Sequence, residues 1–222
     1  MVPEPSMSLA GNLGFDLTSW VRSLRTSLPV IMVCLVGFLL AWLVFWQLAT
    51  SLNKNGAIAL YSLVQSDTAI LIVGVIATLG DVIWVPLVFY QYVFRRDPYD
   101  WTSSLVLAVA IVSAMTLTDI LKLSFGLPRP FQDPTLGITA RFEIPANHGF
   151  PSGHTTNAFT VATVIWTRYP SWRIPFVALA IATGVCMIIL GLHYPSDVIG
   201  GSFLGIFCGT FAISMARLRT AK

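Results

Sequence analysis

The sequence predicts an all-α protein, a polytopic membrane bundle of six transmembrane helices preceded by an N-terminal interfacial helix. Three observations predict it. Hydrophobic residues make up 55% of the 222 and charged residues only 10%, and the mean hydropathy is +0.76, a balance foreign to soluble domains. The apolar residues gather in six runs, at about 29–50, 68–94, 103–125, 155–167, 174–192 and 197–216, most of them near the ~20 residues that cross a bilayer. The basic residues then sort by side. With a cytoplasmic N-terminus and six spans, Arg22, Arg25, Arg95, Arg96, Arg168, Arg173, Arg217, Arg219 and Lys222 share one face, nine of the thirteen Lys and Arg. That asymmetry follows the positive-inside rule and places both chain ends in the cytoplasm.

Residues 1–28 mix Leu13, Phe15, Leu17, Trp20, Val21 and Leu24 with Asp16, Arg22 and Arg25. Such a pattern suits a helix lying in the membrane interface. Residues 29–222 form the six-span domain, since no repeat or linker of domain-boundary length divides them. Trp and Tyr near the run ends read as interfacial belts. Asp81 and Asp119 fall inside runs, where a carboxylate is costly and needs a partner. Asp119 stands one helical turn before Lys122, which suits either orienting that lysine or a structural pairing elsewhere in the bundle; Asp81 has no partner that the sequence identifies. The fourth run is short, and its polar start is Phe150-Pro151-Ser152-Gly153-His154-Thr155. Ser152 suits an N-cap, and the free N–H groups and positive dipole end beyond it suit an anion.

Composition also excludes classes of function. A net charge of +3, scattered along the chain, gives no basic patch for nucleic acid. Cys34, Cys186 and Cys208 lie in apolar runs without ligand spacing and read as small core residues.

The unusual chemistry sits in the loops after the third and fifth runs, on the extracytoplasmic face. Lys122 is followed by Pro128-Arg129-Pro130, whose prolines restrain the arginine backbone. His193 precedes Asp197 by four residues across a turn into the last run. Two cations and backbone amides suit the peripheral oxygens of a transferring phosphoryl group. A neutral histidine oriented by a carboxylate can attack phosphorus, and a second histidine can protonate the departing oxygen.

Lys122 through Arg129-Pro130, then Pro151-Ser152-Gly153-His154, then His193 and Asp197 together resemble the three-part signature of the type 2 phosphatidic acid phosphatase family, whose motif is shared by acid phosphatases and vanadium haloperoxidases. The resemblance spans about residues 29–216. It implies His193 as nucleophile forming a phosphohistidine, Asp197 as its partner and His154 as general acid. It further implies Lys122, Arg129, Ser152 and the Gly153 amide as phosphate ligands, no metal, and a lipid phosphate or pyrophosphate reached from the bilayer as substrate. One departure stands out. The family's third motif begins with Ser-Arg, and here Cys186-Met187 occupy those places. Arg141 is the remaining arginine on that face and is expected to supply part of the missing charge as a further substrate-binding residue.

Two other readings stay open. An alcohol in place of water would make the chain a lipid phosphotransferase, and the lost arginine would suit a catalytically impaired lipid-phosphate binder. A metal-dependent hydrolase is disfavoured, because His193 and Asp197 alone make a poor ligand set. Oligomeric state leaves no mark on the sequence.

Overall fold

A computed structural model describes residues 17–90, 94 and 98–216. Its elements in chain order are α1 (Leu17–Trp42), continued by a π-helical segment (Leu43–Leu48), α2 (Thr50–Ser62), α3 (Asp67–Val82), α4 (Trp84–Tyr90), α5 (Pro98–Phe125), α6 (Gly153–Arg168), α7 (Arg173–Ile189) and α8 (Pro195–Met215). No strand occurs among the described residues.

The bundle is built around α6. Thr155, Thr156, Asn157, Ala158, Thr160, Val161, Val164, Ile165 and Arg168 on this helix are buried, and α3, α5, α7 and α8 pack around it. Surrounded by protein rather than lipid, it tolerates a threonine-rich sequence that a lipid-facing span would not. The hydroxyls of Thr156, Thr160, Thr163 and Thr167 each donate to the carbonyl four residues earlier, satisfying themselves without water. Small residues let α8 approach closely. A Cβ on Gly205 would stand 2.4 Å from the Thr156 carbonyl oxygen, and Thr160 Oγ1 donates across the seam to Gly205 O at 3.2 Å. The outward faces of α1, α3, α5 and α7 are apolar and exposed, as Val33, Leu71, Val112 and Ile174 show.

Four stretches, Ser23–Leu48, Thr102–Leu136, Pro170–Ile189 and Pro195–Met215, are long and apolar enough to cross a membrane, and α2 with α3 meets the test only as a pair bent by 120°. The chain is a multi-pass membrane protein, but the count of six spans is not established. The second apolar run breaks at Ile83 into α3 and α4, and α6 is only 16 residues long. A further element, α2, falls between the first two apolar runs. Residues 1–16 lie outside the described residues, and residues 17–28 run without a break into α1, with Pro29 inside that helix. The interfacial segment expected over 1–28 thus lies mostly outside the described residues, and its described part, 17–28, is the first portion of α1.

Candidate active site

Three segments converge on one end of the bundle. α5 ends at Phe125, and Gly126, with φ of 60°, turns the chain into the long loop before α6. The loop is pinned where Lys54 of α2 meets Asp133 at 2.7 Å, and where buried Phe150 packs tilted against Phe38 and edge-to-face with Phe125. Ser152 then caps α6, its Oγ accepting from Thr155 Oγ1 at 2.9 Å, while its N–H donates to Asp197 O at 3.0 Å. The loop and the start of α8 are thereby locked together.

The turn between α7 and α8 presents His193. Gly191 takes φ of 75°, and a Cβ there would stand 2.6 Å from the Thr139 carbonyl oxygen, so only glycine fits. The N–H groups of Leu192 and His193 both return to Met187 O. Asp197, in the first turn of α8, accepts from the Tyr194 N–H at 2.9 Å, capping the helix, and the same Oδ2 stands 3.3 Å from His193 Nδ1. Ser196 Oγ donates to Asp197 Oδ1 at 3.2 Å. Behind it, Asn53 of α2 is held to Ser196 twice, through Nδ2 to Oγ (2.9 Å) and from Ser196 N to Oδ1 (3.1 Å). His193 and Asp197 are 1% and 0% exposed by side chain. Burial, then the charges of Arg129 and Lys122, hold the His193 imidazole well below its ordinary pKa of 6.5, so it is neutral.

Arg129 completes the arrangement. Its Nη1 donates to Leu192 O (2.9 Å) and lies 3.1 Å from His193 Nε2, its Nε donates to Asn147 O (2.9 Å), and its Nη2 to Asn147 Oδ1 (2.6 Å). Lys122 Nζ reaches His148 O at 3.1 Å and Asn147 Oδ1 at 3.4 Å. Both cations open on a cavity of about 180 Å³, whose lining includes Gly153, His154, Asn157, Met187 and His193. His154 Nε2 stands 3.6 Å from Asp81 Oδ2 of α3, and Asp81 Oδ1 accepts from Asn157 Nδ2 at 2.6 Å.

The structure therefore brings Lys122, Arg129, Gly153, His154 and His193 to one cavity, with Asp197 directly behind His193. Two expected ligands stand elsewhere. The Ser152 side chain is fully buried and does not line the cavity, because its hydroxyl oxygen serves as the cap of α6. Arg141 is also outside. Its Nη1 donates to the carbonyls of Tyr61, Val64 and Ile189, and its guanidinium lies 3.5 Å above the Tyr61 ring. The Tyr61 and Ile189 carbonyls lie at the ends of α2 and α7, where helices leave acceptors unpaired, and Val64 O just past α2; together they draw the guanidinium away from the site. Met187 lines the cavity with no substitute cation, 1% exposed and packed with Ala77, Cys186, Leu190 and Leu192. Asp119 also lines the cavity but forms no ion pair with Lys122. Asp81, Asn53 and Asn147 are the polar residues whose roles the sequence did not disclose.

The family model described as PAP2 superfamily matches residues 103–221. The chain is 34% identical over 121 residues to the lipid A 1-phosphatase of Rhizobium etli, covering 53% of this chain and 52% of that protein. It is 25% identical over 136 residues to the undecaprenyl-diphosphatase of Sulfolobus acidocaldarius, covering 60% and 63%. The chain spans about half the length of the curated relatives it matches. Among solved structures, the PAP2-type phosphatidylglycerolphosphate phosphatase from Bacillus subtilis superposes with a TM-score of 0.66 at 20% identity, over 82% of this chain and 93% of that one. That likeness establishes the all-α fold.

Proposed function

Since this chain belongs to the PAP2 superfamily, we propose that it is an integral-membrane lipid phosphatase, which cleaves a phosphate monoester or anhydride through a phosphohistidine on His193. The observation that carries this reading is the placement of His193, with Nδ1 on a buried carboxylate and Nε2 beside Arg129 at the cavity. Arginine only donates, so Nε2 holds the lone pair and Nδ1 the proton that faces Asp197.

In the first step Nε2 attacks phosphorus, a P–N bond forms and the P–O bond to the lipid breaks. His154 gives its proton to the departing oxygen. Lys122, Arg129 and the Gly153 amide at the start of α6 receive the phosphoryl oxygens, and Asp197 stabilises the cationic phosphohistidine. In the second step His154 takes a proton from water, the water oxygen bonds to phosphorus and the P–N bond breaks. Inorganic phosphate leaves and His193 is regenerated. No step calls for a metal. The distribution of basic residues supports cytoplasmic chain ends and a cavity on the extracytoplasmic side.

The test is phosphate release by the purified protein from a panel of lipid phosphates and diphosphates, in chelator, beside His193→Ala. Release by the wild type alone, with an acid-labile phosphoenzyme trapped on rapid quenching, is the expected result. Equal release by both proteins would overturn the reading.

A further inference from the structure

Lys122 and Arg129 meet on one side-chain oxygen. Asn147 Oδ1 accepts from Arg129 Nη2 at 2.6 Å and from Lys122 Nζ at 3.4 Å, and the Asn147 carbonyl accepts from Arg129 Nε at 2.9 Å. Two positive groups that repel each other thus share a neutral acceptor. The segment that carries Asn147 is itself fixed. His148 O accepts from Lys122 Nζ at 3.1 Å, and the Gly149 N–H donates to Leu127 O at 2.8 Å. A Cβ on Gly149 would stand 3.1 Å from Pro128 O and 3.2 Å from Asp197 Oδ2, so the chain passes closely between them.

The amide has a second end. An oxygen that accepts from two cations leaves the nitrogen of the same amide as the free end, and among the described residues Asn147 Nδ2 has no acceptor. Asn147 is exposed and lines the cavity with His193, so Nδ2 brings two free N–H groups to its wall. Donors are scarce there. A phosphoryl group in transfer presents three peripheral oxygens. Four of the five N–H groups of Arg129 are engaged by Asn147, Leu192 O and His193, which leaves one on Nη2. Lys122 directs two of its three to His148 and Asn147. Where the third motif of the family carries an arginine, Met187 lines the cavity with a thioether, which donates nothing.

We propose that Asn147 is a further phosphate-binding residue, whose Oδ1 holds Lys122 and Arg129 side by side and whose Nδ2 donates to a phosphoryl oxygen. This rests on the proposed phosphatase reading and extends its ligand set with a neutral donor in a pocket that lacks the third-motif arginine. Neutrality is part of the role. An amide between the cations leaves their charge for the phosphoryl group, whereas a carboxylate in its place would offset one of them.

The experiment compares Asn147→Asp and Asn147→Ala with the wild type in one detergent. It reads the thermal midpoint of the protein alone, the apparent Kd of inorganic phosphate from the rise of that midpoint with phosphate concentration, and kcat/KM on one lipid phosphate. Asn147 is exposed, so neither change opens the packed bundle. Aspartate keeps the oxygen that joins the cations and removes the donor; alanine removes both and adds no charge. Stability and phosphate affinity are therefore expected to follow opposite orders. The aspartate variant should melt at or above the wild type and the alanine variant below it. The phosphate Kd should rise at least threefold with alanine and at least tenfold with aspartate, and kcat/KM should fall in that same order. Wild-type phosphate affinity in either variant, weaker binding by the alanine variant than by the aspartate variant, or an aspartate variant no more stable than the alanine variant overturns the inference while leaving the phosphatase reading standing. So does a wild type that releases phosphate but has no measurable affinity for it. A wild type that neither binds phosphate nor releases it above the His193→Ala level overturns both.

Discussion

Arg129 Nη1 lies 3.1 Å from Nε2 of His193, while the same guanidinium is held at Nε and Nη2 by Asn147. In the proposed mechanism, one side chain thus fixes the tautomer of the nucleophile and stands where the phosphoryl group would bind. Lysine offers a single point charge in place of the planar fork and cannot satisfy Asn147 and His193 together. Arg129→Lys is expected to lower kcat/KM by about a hundredfold or more, near 2.7 kcal/mol of barrier. His193→Ala is expected to abolish release. Asp197→Asn, which disturbs the tautomer but keeps the nucleophile, falls between. Steady-state phosphate release on one lipid phosphate checks all three.

Because burial and two cations keep His193 neutral, its pH behaviour has a definite sign. Its folded proton affinity lies well below the ordinary 6.5, so below that pH the unfolded chain binds a proton that the folded chain refuses. Stability is therefore lost as pH falls through 6.5. Between pH 7.5 and 5.5, the thermal midpoint in detergent is expected to drop further for the wild type than for His193→Gln. Equal drops would mean that His193 titrates normally.

Arg141 separates a structural from a catalytic arginine. Since it binds carbonyls at the ends of α2 and α7 and stacks on Tyr61, Arg141→Lys is expected to lower the thermal midpoint by a few degrees. kcat/KM should stay within about threefold of wild type, under 0.7 kcal/mol. A tenfold loss of activity without loss of stability would return Arg141 to the pocket.

The same contrast shows which parts of the molecule were legible in the sequence. His193 and Asp197 were legible because a turn entering a helix brings residues four apart together, and Ser152 to His154 because a helix start has a local pattern. Their chemistry is written within a few consecutive residues. Asn53 meets Ser196 across 143 positions and Asp81 meets Asn157 across 76, and no periodicity marks such pairs. Asp81 did leave a trace, as a carboxylate in an apolar run that had to have a partner. For Arg141 a shared membrane side says nothing of reach, and no sequence pattern shows that carbonyls near the ends of α2 and α7 compete for it. The break at Ile83 and the shortness of α6 blurred the span count, since helices shielded by protein need neither full length nor full apolarity.

Asn53 tests how far the support of the nucleophile extends. Both its amide groups are engaged by Ser196, which in turn donates to Asp197. Asn53→Ala would leave the Ser196 N–H buried without a partner, a cost of about 1–3 kcal/mol. It is expected to lower the thermal midpoint and to reduce kcat about tenfold with KM little changed, since no substrate contact is lost. A fall in stability with kcat intact would confine Asn53 to the fold.

Asp81 bears on the general acid. Its Oδ1 accepts from Asn157 and its Oδ2 lies 3.6 Å from His154 Nε2, which places it to orient the imidazole in the proposed mechanism. A general acid matters most when the leaving oxygen is basic, and contributes ~10²–10⁴-fold in such cases. It matters little for a good aryl leaving group, which departs without a proton. Asp81→Asn preserves size and hydrogen-bonding reach but removes the charge that pairs with a protonated His154. On an alkyl lipid phosphate, kcat is expected to fall at least tenfold, about 1.4 kcal/mol. On p-nitrophenyl phosphate the loss should stay below about threefold. A merely structural Asp81 would slow both substrates by the same factor. Asp81→Glu, which restores the charge on a longer arm, should recover part of the alkyl-specific loss, and equal losses on both substrates in both variants would remove Asp81 from the proton transfer.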